Sequence, residues 1–97
     1  MDQDEYVIFA ELDRGKFEQI LGKLKLHFQN IQFGRQGDDY IWVNFSNSKI
    51  EIDTFYSMNL EVKGRRGHYS VCREVLSCLE NEWIIKEFNP PKVDLTK

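Results

Sequence analysis

From Ile31 to Lys63 apolar residues recur at every second position, and on either side of that tract they recur at helical spacing. This change of period constrains the chain more than any other feature. A strand sends successive side chains to opposite sheet faces, whereas a helix gathers every third or fourth onto one stripe. The central tract divides into four runs. Ile31 and Phe33 form a short first run. Ile41, Val43 and Phe45 alternate with Tyr40, Trp42 and Asn44. Ile50 and Ile52 alternate with Lys49, Glu51 and Asp53, and Met58, Leu60 and Val62 alternate with Asn59, Glu61 and Lys63. The connections are short: a turn at Arg35-Gln36-Gly37-Asp38, a tight hairpin at Asn47-Ser48 and a bend near Tyr56-Ser57. Short connections predict an antiparallel meander.

The flanks follow the same logic. Glu5 to Leu12 reads as a strand, with Tyr6, Ile8, Ala10 and Leu12 on one face and Val7, Phe9 and Glu11 on the other. Asp13 offers an N-cap for a helix whose stripe is Phe17, Ile20, Leu21, Leu24 and Phe28. Gly15 and Gly22 weaken that helix by about 1 kcal/mol each, so packing must hold it. After the break at Gly64-Arg65-Arg66-Gly67, residues 69–80 carry a second stripe of Val71, Cys72, Val75, Leu76 and Leu79. Trp83 to Phe88 reads as a last strand, ended by Asn89-Pro90-Pro91, with 89–97 as an extended C-terminal tail.

The predicted order is β-α-β-β-β-β-α-β: an α+β fold with an antiparallel sheet of five to six strands and two helices on one face. Its two ends resemble the split β-α-β arrangement of ferredoxin-like folds. A chain of 97 residues has room for one core, so residues 1–97 are expected to form one domain. No apolar run reaches the ~20 residues needed to span a bilayer, and the acidic start Met1-Asp2-Gln3-Asp4-Glu5 is unlike a secretory signal. Cys72 and Cys78 share one helix, about 9 Å apart along its axis, so they are expected to stay reduced. Both points favour a cytoplasmic protein.

If the apolar members of the meander face the helices, the second face collects Phe9, Tyr40 and Trp42 among Glu51, Asp53 and Glu61. Tyr and Trp combine large contact area with a polar handle. Acids around them, in a chain of net charge −3, suit a basic partner and disfavour nucleic acid. These six residues are the expected partner-binding set; self-association as a homodimer is the competing use of the same face.

Lys63, Arg65, Arg66 and His68 form a basic cluster around Gly64 and Gly67. Such a loop, ahead of a helix, can bind an anion. Its Gly-x-x-Gly pattern resembles the backbone clamp of KH domains, but there the loop joins two helices and here it follows a strand. No catalytic set is legible. His68 lacks a second acid or base nearby, His27 at the edge of the first helix's apolar stripe reads as a packing or surface histidine, Asp13 is explained as a cap, and Asp38-Asp39 as turn residues. Zinc spacings, phosphate loops and nucleophile elbows are absent from the sequence, so neither metal nor cofactor is expected. The function this pattern suggests is a small acidic inhibitor or immunity-type protein, an antitoxin that neutralises a basic enzyme such as a nuclease toxin. The alternatives are a nucleic-acid or phosphate-ligand binder using the basic loop, and a small ferredoxin-like nuclease.

Overall fold

A computed structural model describes residues 4–13, 16–35, 39–54 and 60–93. Six strands and two helices follow one another as β1 (Tyr6–Asp13), α1 (Phe17–His27), β2 (Ile31–Gly34), β3 (Tyr40–Asn44), β4 (Lys49–Asp53), β5 (Leu60–Arg65), α2 (Tyr69–Leu79) and β6 (Ile84–Val93). The strands form one sheet in the order β2-β3-β4-β5-β1-β6, and every neighbouring pair is antiparallel. β5 and β6 both flank β1, so they run parallel to each other and need the α2 crossover between them. The strands β6-β1-β5-β4 thus reproduce the split β-α-β arrangement, and β3 and β2 extend it. This is the α+β architecture the periodicity predicts.

The periods explain the layers. Ile41, Val43, Ile50, Ile52, Leu60 and Val62 all point to one face and are buried. There they meet Ile20, Leu21 and Leu24 of α1 and Cys72, Val75, Leu76 and Leu79 of α2 in one core. Each large aliphatic buried this way contributes about 1.5–3 kcal/mol, which offsets the helix-weakening Gly22. The β3–β4 hairpin forms where Asn47-Ser48 predicts it, with Asn44 opposite Lys49 and Phe45 N–H donating to the Ser48 carbonyl at 2.8 Å. The turn at 36–38 and the bend at Tyr56-Ser57, with Met58 and Asn59, lie outside the described residues.

Four local expectations change. β1 carries a bulge between Ile8 and Ala10, seen in its pairing with both β5 and β6. An extra residue in a strand breaks the alternation. Phe9 therefore turns to the helix side, where it is 1% exposed and its ring lies 5.9 Å from that of Tyr69. The N-cap position of α1 falls on Lys16, which makes no side-chain cap, and not on Asp13, which is the last residue of β1, opposite Ile84. The basic stretch is not an open glycine loop. Gly64 and Arg65 belong to β5, and Arg66–His68 makes a single 3-10 turn straight into α2. A side chain at Gly64 would meet Ile50 at 3.0 Å and Phe9 at 3.2 Å, so glycine serves close packing there. Finally, Asn89-Pro90-Pro91 does not end the last strand. β6 bows out over Phe88–Pro91 and pairs again, Lys92 with Ile8 and Val93 with Val7. The Asn89–Pro90 peptide is cis.

Candidate functional site

The face turned away from the helices is built from two cross-strand rows. One runs Gln32, Trp42, Glu51, Lys63, Ile8 and Lys92; the other runs Gly34, Tyr40, Asp53, Glu61, Glu11 and Lys86. Register places them together, because in β1, β3, β4 and β5 each alternates with a core residue. Five of the six residues expected to bind a partner lie in these rows; Phe9 is the one that does not.

Tyr40 and Trp42 form the aromatic centre. Their ring centroids are 4.9 Å apart and inclined by 41°. The Tyr40 ring lies directly over Gly34, whose missing Cβ would sit 2.5 Å from Tyr40 Cε1. An edge-strand glycine covered by an aromatic is thereby shielded, and the ring gains a flat seat. Lys49 Nζ stands 4.2 Å from the Trp42 ring centroid and 3.1 Å from Glu51 Oε1. Both rings remain half-buried.

The charges behind the aromatics are neutralised within the protein. Glu51, Glu61 and Lys63 are 4%, 7% and 1% exposed. Lys63 Nζ pairs with Asp53 at 2.9 Å and Glu61 at 3.5 Å, and Glu51 accepts from the Tyr6 hydroxyl as well as pairing with Lys49. Glu61 Oε1 makes no hydrogen bond among the described residues. Burial holds the Glu61 carboxyl above its ordinary 4.5, against the opposing pull of Lys63. Glu51 and Glu61 thus set the local field and brace the sheet, while a partner could touch Tyr40, Trp42, Asp53 and Lys49 at the centre and the exposed Gln32, Lys86 and Lys92 at the two edges. Tyr6, Ile8, Glu11 and Lys49 also belong to this face. Lys49 and Glu11 are legible from alternation in β4 and β1; Tyr6 and Ile8, which alternation groups with Ala10 and Leu12, reach this face because of the bulge.

The basic cluster is dispersed. Lys63 is buried among the acids. Arg66 donates to Glu5 through Nε at 3.1 Å and also through Nη2. Arg65 is exposed, 3.9 Å from Asp4. His68 is half-buried, and its Nδ1 has no hydrogen-bond partner among the described residues. Arg65, His68 and Lys49 border a cleft of about 300 Å³ with Tyr6, Asn47 and Ser48. Among the described residues no group of three or more His, Cys, Asp or Glu is arranged to hold a metal ion, and no helix is long and apolar enough to cross a membrane. Cys72 and Cys78 are free thiols.

No protein-family model matches the sequence, and comparison with curated proteins and with solved structures finds no match.

Proposed function

We propose that this chain is a noncatalytic protein-binding domain that docks on a basic partner through the sheet face opposite its helices, in the manner of an inhibitor or immunity protein acting in the cytoplasm. The observation that carries this reading is the Tyr40–Trp42 pair. Two large rings, Tyr40 packed against Gly34 and Trp42 beneath the Lys49 ammonium, stand on a face that both helices leave uncovered. Rigid aromatics of this kind anchor interfaces because little conformational freedom is lost on binding. The buried ion pairs behind them keep that surface preorganised. The chain's net negative charge adds long-range attraction for a positively charged partner such as a nuclease cleft, which speeds encounter.

The test is capture of partners on the immobilised chain at low and moderate salt, with Trp42→Ala and Tyr40→Ala as controls whose fold is verified by circular dichroism. A stoichiometric basic protein that is lost with either substitution supports the reading. Retention of that protein by both variants, or recovery of nucleic acid lost with Arg65→Ala, overturns it and moves the function to the cleft of Lys49, Arg65 and His68. Concentration-dependent sedimentation abolished by Trp42→Ala would instead assign the face to a homodimer.

A further inference from the structure

A second concave site, independent of the sheet face, opens where β6 leaves the sheet. β1 has one residue, Phe9, between Ile8 and Ala10, whereas β6 has four, Phe88 to Pro91, between their partners Lys92 and Glu87. The surplus bows β6 outward and leaves a pocket of about 490 Å³ against the turn that starts α2. Phe9, Tyr69, Phe88 and Pro91 supply its apolar walls, and Arg66, Glu87 and Asn89 its polar ones. The volume falls in the range of small-molecule sites, and mostly apolar walls with a few convergent polar groups are their usual chemistry. Bulges are over-represented beside such sites because they re-aim side chains.

The polar groups define what fits. Glu87 is already engaged: it accepts from the Tyr69 hydroxyl at 2.6 Å and pairs with Arg73 at 3.5 Å. Arg66 binds Glu5 through Nε and Nη2, and its backbone N–H donates to the Glu5 carbonyl at 2.8 Å, so the guanidinium is held in place. Its Nη1 has no hydrogen-bond partner among the described residues and is left to donate. The Asn89 side chain, exposed at the rim, supplies a further amide donor. The walls therefore receive a flat ring; Asn89 at the rim offers both an amide donor and an acceptor, and the charged capacity left over is the Arg66 donor.

We infer that this pocket binds a small planar aromatic compound bearing an oxygen acceptor, a carboxylate or carboxamide, which Arg66 Nη1 engages while the ring lies between Tyr69 and Phe88. The experiment is an amide-resonance NMR titration of the full chain with benzoate, benzamide and benzylamine as probes. Benzoate and benzamide are expected to give saturable shifts confined to residues 66–69 and 87–92, with Kd on the order of 1 mM for ligands this small. Arg66→Leu should weaken benzoate roughly tenfold, the worth of a charge-assisted hydrogen bond. Tyr69→Ala, at a position 45% exposed and away from the Glu5 tie, should weaken all ring binding even if Arg66→Leu unfolds. Trp42→Ala should change nothing, which separates this site from the sheet face. The inference is overturned if neither probe shifts these resonances at about 10 mM, if benzylamine binds more tightly than benzoate, or if the shifts survive Tyr69→Ala undiminished.

Discussion

Replacing Lys63 by methionine tests whether the polar face is held together as described. The ammonium is 1% exposed and serves Asp53 at 2.9 Å and Glu61 at 3.5 Å. Removing one partner of a buried pair costs about 3–5 kcal/mol, because the other charge is left stranded. The structure narrows that range. Glu51 keeps Lys49, and Asp53 has some contact with water, so the stranded charge is chiefly Glu61. A carboxyl can escape by taking a proton. From an ordinary value of 4.5 that costs about 1.36 kcal/mol per pH unit, or about 3.4 kcal/mol at pH 7. The wild-type carboxyl already bears part of that cost, so the expected loss for Lys63→Met is at most about 3 kcal/mol at pH 7. The sign with pH follows. Glu61 already sits above its ordinary value when folded, and losing Lys63 raises it further, so the folded state binds the proton more tightly than the unfolded state. The deficit is full near neutrality and shrinks as pH falls toward 4.5, to below about 1 kcal/mol at pH 5. Urea unfolding at pH 7, 6 and 5, with the slope checked for constancy, measures it. Adding Glu61→Gln to Lys63→Met should recover most of the loss at pH 7. A deficit under about 1 kcal/mol at pH 7, or one equal at pH 7 and pH 5, would refute the reasoning.

Two glycines should respond in opposite directions. Gly64→Ala places a Cβ 3.0 Å from Ile50 and 3.2 Å from Phe9 and should cost about 1–3 kcal/mol by thermal unfolding. Gly22→Ala meets nothing within 4 Å on an exposed helix position and should stabilise by up to about 1 kcal/mol, raising Tm by a few degrees. Burial pushes the Cys72 thiol from 9.0 up to about 12. Because the unfolded thiol ionises first, the stability this contributes is intact below pH 9 and lost as pH rises toward 12, at up to about 1.4 kcal/mol per unit. Cys72→Ala should flatten that alkaline slope in urea midpoints. Iodoacetamide at about pH 8 should leave Cys72 unmodified in the native protein and alkylate it after denaturation.

The element order, the antiparallel meander and nearly all of the core were legible in the sequence, because alternation and helical spacing are local consequences of how side chains leave the backbone. Tyr40, Trp42, Glu51, Asp53 and Glu61 could be assigned to one face for the same reason. What the sequence could not carry was anything that depends on a register shift or a distant partner. One extra residue in β1 sends Phe9 into the core, and no local pattern marks it, since Ile8, Phe9 and Ala10 are all apolar. Lys63 read as the start of a basic loop; only its position across from Glu51 and beside Asp53 and Glu61 makes it a buried counter-ion. The Asn89-Pro90-Pro91 segment read as a terminator, and it is the pairing of Lys92 and Val93 back onto β1 that makes it a bow in a strand with a pocket beneath. Periodicity thus determined which residues are apolar partners, and tertiary pairing decided which charges are buried and where the sheet opens, because those outcomes depend on strands far apart in the chain.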